Sequence, residues 1–176
     1  MSDLLLDIGQ MREADARIER TYATDALRVD ADVCRMAGSL HLDFTVHKDK
    51  DQFRLAGRVR TTMELSCCRC LTEYPMAVDE AFDVLFLPHT ETRPDAEVEI
   101  EDDDLSSAYY RDQVIDLGQL MQEQIYLAVP MKPLCSERCR GLCPQCGINL
   151  NTGSCACTTA WEDPRLAVLR NLKKDE

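Results

Sequence analysis

No stretch of this chain is long and apolar enough to cross a bilayer. The N-terminal segment is acidic and Asp7 breaks its short apolar run, so it reads as neither a secretory signal nor an anchor. Positive charge is also short. Lys and Arg number 20 against 32 Asp and Glu, a formal net charge of −12. That balance excludes uniform binding to a phosphate backbone, which rewards net positive charge. A basic partner, or a local basic patch facing RNA, stays open. There is no glycine-rich phosphate loop and no G-x-S-x-G turn, so neither of those activities is indicated. Aromatic residues reach only 6%, with Trp161 the single tryptophan, yet apolar residues make up 45%. Over 176 residues that suffices for one domain, or one domain with a small appendage.

What the chain does hold is cysteine. Eight of its ten fall into close pairs: Cys67/Cys70, Cys135/Cys139, Cys143/Cys146 and Cys155/Cys157. Without export these thiols meet a reducing, cytoplasmic environment, where clustered cysteine points to metal ligation or redox chemistry rather than a disulfide framework. A sulfur-preferring divalent ion takes four thiolates in a tetrahedron, and one tight loop supplies two. Four loops make two sites, so two zinc ions are expected. Each zinc with four thiolates adds −2, taking the net charge to about −16. In Cys143-Pro144-Gln145-Cys146-Gly147 the glycine permits the positive φ that such turns require, and turn amides can point at the thiolates. Its natural partner is Cys155-Ala156-Cys157, a tighter pair than zinc usually takes. Cys67/Cys70 would then share an ion with Cys135/Cys139 and close a long loop, at an entropic gain that grows slowly with length. A competing partition groups Cys135, Cys139, Cys143 and Cys146, leaving Cys67/Cys70 with Cys155/Cys157. Cys34 and Cys68 read as packed or partly exposed thiols, although Cys68 could replace Cys67 as a ligand. Iron–sulfur ligation is the less fitting alternative, since the C-x2-C-x2-C ferredoxin spacing is absent.

The periodicity predicts an α+β fold: a twisted antiparallel β-sheet with one main helix and a C-terminal zinc-knuckle appendage. Residues 1–133 form the β-rich part with the helix and residues 134–176 the cysteine-rich tail. Leu27, Val29, Ala31 and Val33 alternate with polar neighbours, as do Leu40, Leu42, Phe44 and Val46. The run from Phe53 to Leu65 alternates over a dozen residues, which means a half-buried strand. Val78, Phe82, Val84 and Phe86 continue the pattern, and Arg12 to Tyr22 leans to strand because Ala16, Ile18 and Tyr22 share a side. Asp116 followed by Gln119 marks a helix start in which the carboxylate caps amides and the Gln side chain reaches back. That helix carries Leu117, Leu120, Met121, Gln124 and Ala128 on one face and ends at Pro130. The acidic stretch Glu97 to Asp104 reads as a solvated loop. A short last helix is expected from Asp163-Pro164, with Leu166, Leu169 and Leu172 as its stripe.

Catalytic zinc keeps an open position and usually recruits His or carboxylate. His41, His47 and His89 are all remote from the cysteine pairs, so the balance favours a non-enzyme. A redox role for Cys67 and Cys70 would need a lowered thiol pKa, to which Arg69 could contribute.

Several strings together resemble one family. Leu65-Ser66-Cys67-Cys68-Arg69-Cys70-Leu71 looks like the C-x-R-C-L signature of the YceD-like family, the large ribosomal RNA subunit accumulation proteins. So do Ile115-Asp116-Leu117-Gly118, Leu127-Ala128-Val129-Pro130, the run Cys139 to Asn151, and Asp163-Pro164-Arg165-Leu166. The resemblance spans roughly Leu27 to Leu172. It implies a bacterial cytoplasmic protein needed for synthesis, processing or stability of large-subunit ribosomal RNA. Some relatives keep the first cysteine pair and lack the C-P-x-C-G and C-x-C stretch, which makes the second site an embellishment of this branch. Laid over that, Arg54, Arg58 and Arg60 form a basic row on one strand face. They either pair with neighbouring carboxylates or contact RNA together with Lys132, Arg138 and Arg140 around the metal loops. The acidic surface suits instead a basic ribosomal protein. No membrane and no small-molecule substrate are expected. The rival from another class is a zinc-thiolate redox sensor or chaperone.

Overall fold

The computed structural model describes residues 4–11, 13–89 and 107–157. The expected acidic loop at 97–104 and the expected last helix from Asp163 lie outside them. The chain divides into two compact units, Met1–Leu65 with Tyr74–Met131, and Ser66–Glu73 with Lys132–Glu176. The Cys67–Cys70 loop therefore groups with the cysteine-rich tail and not with the strands that flank it in sequence.

In the first unit, alternation builds a sheet. Strand β1 (Leu5–Asp7) precedes β2 (Asp15–Tyr22), β3 (Arg35–Met36), β4 (Leu40–Asp49), β5 (Gln52–Ser66), β6 (Glu73–Pro88), β7 (Ser107–Tyr110) and β8 (Val114–Asp116), and helix α1 follows at Leu117–Ala128. The sheet order is β2-β4-β5-β6-β7, with β3 also on β5, while β1 and β8 pair separately. Strands β4 and β5 run antiparallel with Phe44 opposite Gly57 and Leu42 opposite Val59. Leu40, Leu42, Phe44 and Val46 point inward, as do Phe53, Leu55, Val59, Met63 and Leu65 on β5 and Val78, Phe82 and Phe86 on β6. Phe44 and Phe82 meet at 6.4 Å between ring centroids. Each such side chain contributes about 1.5–3 kcal/mol on burial, so this one layer of strand residues dominates the unit's stability. The strand expected within Arg12 to Tyr22 is β2, paired with β4 along its whole length from Asp15 to Tyr22.

Helix α1 begins where expected. Asp116 caps it by accepting from the Gln119 amide at 3.0 Å, and Leu117, Leu120, Met121 and Ile125 are buried in the same core. The Gln119 side chain does not reach back; it donates to Glu123 at 2.9 Å, one helical turn on. Two further expectations need correction. The sheet is not wholly antiparallel, because β7 runs parallel to β6. Parallel neighbours need a long crossover, and the chain between Pro88 and Ser107 has the length for one. Nor do residues 27–33 form a strand. The Asp30 carbonyl accepts from the Val33 and Cys34 amides, both at 3.0 Å, and its carboxylate accepts from the Asp32 amide at 3.0 Å. An Asp bonding its own chain two residues on offers the backbone a turn in place of a ladder. Val33 is accordingly 47% exposed and pairing resumes only at β3.

Phe44→Ala should lower the unfolding free energy by about 3–5 kcal/mol, since it empties the centre of that layer. Asp116→Ala, which removes a cap alone, should cost only about 1 kcal/mol. Urea midpoints for the two variants check the ranking.

Candidate metal centres

The second unit is built from two tight turns with one geometry. After β5 the chain folds so that the Leu71 amide donates to the Cys67 carbonyl at 2.9 Å and the Cys67 amide to the Thr72 carbonyl at 3.0 Å. In the other turn the Gly147 amide donates to the Cys143 carbonyl at 2.9 Å and the Cys143 amide to the Ile148 carbonyl at 2.8 Å. The residue after the second cysteine takes a left-handed φ in both, +58° at Leu71 and +73° at Gly147. Glycine takes that conformation freely; leucine adopts it at a cost of about 1–2 kcal/mol. A non-glycine residue held there is a mark of a turn the surroundings impose.

Each turn brings its two sulfurs to two from elsewhere. The ligand atoms of Cys67, Cys70, Cys135 and Cys139 lie within 4.8 Å of one another, and so do those of Cys143, Cys146, Cys155 and Cys157. Cys67 Sγ is 3.7 Å from Cys139 Sγ, and Cys70 Sγ is 3.6 Å from Cys135 Sγ. A disulfide would bring sulfurs to about 2.0 Å, and all ten cysteines are free thiols. Four sulfurs at about 2.3 Å from a central ion form a tetrahedron with edges near 3.8 Å, so the observed spacing fits a coordinated ion. Cys34, buried in the first unit, and the exposed Cys68 belong to neither group.

Hydrogen bonds orient the first centre. The Arg69 guanidinium donates to the Cys139 carbonyl at 3.0 Å, the Cys68 amide to the Pro133 carbonyl at 2.8 Å, and the Leu142 amide to the Arg69 carbonyl at 3.1 Å. Asn151 Nδ2 donates to Cys139 Sγ at 3.3 Å while its Oδ1 accepts from the Arg140 amide at 2.8 Å. Asn149 Oδ1 accepts twice from Asn151, and Asn149 Nδ2 donates to Thr72 Oγ1 at 3.1 Å. These asparagines lie in sequence between the halves of the second centre and serve the first. Sequence reading missed that role; the Asn149-Leu150-Asn151 string was its only visible signal.

Electrostatics divides the thiols. Main-chain hydrogen bonds, that of Cys135 foremost, hold the Cys67 thiol down at about 6 against its burial. The main chain of Cys146 and Gln145 does the same for Cys143, also about 6. Cys135 is pushed up to about 12, first by its hydrogen bond with Cys70 and then by burial. Cys157 reaches about 12 through Cys146 and burial. Each centre thus pairs a ready thiolate with a thiol that holds its proton until a cation enters, the linkage expected of a metal site. The first is the more enclosed: Cys67, Cys70 and Cys139 are buried, whereas only Cys143 is so in the second.

The remaining candidates fall elsewhere. Arg54 makes a two-pronged pair with Asp83, both contacts at 2.7 Å, and Arg58 meets Asp79 at 3.0 Å. Arg60 stands opposite His41 in the ladder. Lys132, Arg138 and Arg140 are exposed in the second unit, Arg138 and Arg140 on either side of Cys139. His41, His47 and His89 all sit in the first unit, bonded to Thr21 and Ser39, Asp15, and Arg111 respectively. An open hollow of ≈ 950 Å³ in that unit is lined by Asp25, Asp116, Glu123 and Tyr126 among others, and no cysteine or histidine lines it. Among the described residues no helix is long and apolar enough to cross a membrane.

A chain that gathers eight cysteines into two four-sulfur groups is, by class, a candidate two-site metalloprotein. It belongs to the family described as "Large ribosomal RNA subunit accumulation protein YceD", which matches residues 55–173. It is 30% identical to a Zea mays protein named "Large ribosomal RNA subunit accumulation protein YCED homolog 1, chloroplastic", over 64% of this chain and 46% of that one. It is 29% identical to the Arabidopsis thaliana protein of the same name, over 96% and 59%. An uncharacterized Bacillus subtilis protein, YlbN, is 33% identical over 65% and 62%. The chain spans about half the length of the first curated relatives it matches. No solved structure matches it.

Two predictions follow from the geometry. In the double variant Cys67→Ser/Cys135→Ser one bound ion should be lost and one kept, because both residues serve the same centre; the competing partition would lose two, and metal analysis counts them. In reduced, metal-free protein, Co²⁺ uptake should persist from pH 9 to 7 and slow as pH falls through about 6, where Cys67 and Cys143 take up protons. Thiols left at their ordinary 9.0 would slow it already above pH 7.

Proposed function

We propose that this chain supports the accumulation of large-subunit ribosomal RNA as a non-enzymatic binding factor in the cytoplasm, with a zinc ion in each sulfur centre. It acts by holding the RNA itself or a basic ribosomal protein. The observation that carries this reading is the family match over residues 55–173, which takes in every cysteine of both centres. The maize and Arabidopsis relatives bear names that state the outcome, accumulation of that RNA.

Zinc is the ion that best suits these donors. It has no geometric preference of its own, accepts four thiolates and forms closed structural sites of this composition. A closed site leaves no position for water or substrate, and that supports a structural role over catalysis. The ion would lock together two stretches of chain that hydrogen bonds already join. A second reading, a thiolate redox sensor, draws on the exposed Cys146 and half-buried Cys155 and Cys157. There, peroxide would join two thiols as a disulfide, itself reduced to water, and the ion would leave.

Protein produced without added metal should contain two zinc ions per chain. Depleting the protein from cells should lower the ratio of large- to small-subunit ribosomal RNA, and the Cys67→Ser/Cys135→Ser variant should fail to restore it. An unchanged ratio on depletion would overturn the proposal. Ion ejection at low peroxide with gain of chaperone activity would favour the redox reading.

A further inference from the structure

We infer that the loops around the first sulfur centre form a phosphate-contacting RNA surface, a proposal that rests on the ribosomal RNA reading above and names the part of the chain that would touch the nucleic acid. Charge is the first argument. The chain as a whole stands at −12. In the described part of the second unit the cations Arg69, Lys132, Arg138 and Arg140 outnumber the carboxylates Glu73 and Glu137. Two zinc-loaded four-thiolate centres, each adding about −2, would more than offset that excess, so the positive charge is local to the exposed side chains beside Cys139 and Pro133.

Availability is the second. On the sheet of the first unit three arginines are taken, Arg17 by Asp43 at 2.8 Å, Arg54 by Asp83 and Arg58 by Asp79, while Arg60 stands opposite His41 without an ion pair among the described residues. At the first three a phosphate would have to displace a carboxylate already in place. Lys132, Arg138 and Arg140 are exposed and form no ion pair among the described residues. Their charge is open to a polyanion.

The third argument is rigidity. Arg138 and Arg140 flank Cys139, whose sulfur belongs to the centre. The Arg138 amide donates to Ser136 Oγ at 3.3 Å and the Arg140 amide to Asn151 Oδ1 at 2.8 Å. Lys132 precedes Pro133, whose carbonyl accepts from Cys68. Backbone anchored in this way has little ordering entropy left to lose when a ligand arrives. Arginine suits the ligand, because its planar fork matches phosphate oxygens. Among the described residues of this unit there is no Phe, Tyr or Trp for a base to stack on. The surface therefore reads backbone phosphate, with tolerance of sequence and strong dependence on salt.

The test uses the full chain loaded with metal and two labelled probes, a transcript of a large-subunit ribosomal RNA domain and a single-stranded RNA of mixed sequence, titrated by anisotropy between 50 and 200 mM salt. K132Q/R138Q/R140Q should bind both probes at least about tenfold more weakly and flatten the log–log salt slope by about 2, the share of three phosphate contacts. R58Q/R60Q should leave affinity within about twofold, and R138K/R140K, which keeps the charge, should retain most of the binding. Unchanged affinity in the triple variant, loss in R58Q/R60Q, or no RNA binding by the wild-type chain at 50 mM salt overturns the inference. So does loss of metal from the triple variant, which would assign these cations to neutralising the sulfur centre. Binding only to isolated basic ribosomal proteins overturns it too. The depletion experiment reads RNA levels whatever surface is used, so either proposal can fail while the other stands.

Discussion

Two turns that aim main-chain amides at a sulfur are the constraint on which the cysteine-rich unit depends. The described residues that form it, eight from Ser66 to Glu73 and those from Lys132 to Cys157, bury Cys67, Cys70, Cys139 and Cys143 and little else that is apolar. What joins them is polar: amide to carbonyl across Cys68 and Pro133, guanidinium to carbonyl at Arg69 and Cys139, asparagine to sulfur at Asn151. The sulfurs so gathered repel one another once ionised. The high proton affinity of Cys135 and Cys157 comes first from their hydrogen bonds with Cys70 and Cys146 and then from burial, and a divalent cation that takes the thiolates displaces those protons. Cys70 and Cys135 are 65 positions apart, so an ion between them closes a long loop and removes freedom from the unfolded chain.

The first unit is stabilised by a different physics. Its strands bury one face and leave the other to charge, and the charged face is largely self-satisfied through Arg17, Arg54 and Arg58 with their aspartates. Exposed pairs of this kind add little to stability. Their consequence is functional: a face that pairs its own arginines has little to offer a polyanion. The cations around Cys139 lack such carboxylates. The contrast between the units is thus one of available charge, more than of total charge.

Much of this was readable from residue order. The alternation of β4 and β5, the Asp116 cap and the C-P-x-C-G turn are local patterns, each encoded within a dozen residues, and local patterns survive without knowledge of the fold. The alternation at residues 27–33 was equally regular and misled, because Asp30 satisfied the backbone before a partner strand could. The parallel course of β7 was hidden for the opposite reason: direction depends on a distant neighbour, and nothing in Ser107–Tyr110 records which way Leu85–Pro88 runs.

The same division runs through the site. Residue type and spacing dictated that thiolates would come two at a time, since two cysteines on a short turn must share a neighbourhood whatever surrounds them. Which pair meets which is a property of space. Cys67 beside Cys139, and Asn151 serving the centre its neighbours do not build, are contacts between segments that sequence distance leaves unordered. Only the folded chain, by placing the loop after β5 among the residues that follow α1, selects one pairing from those that spacing allows.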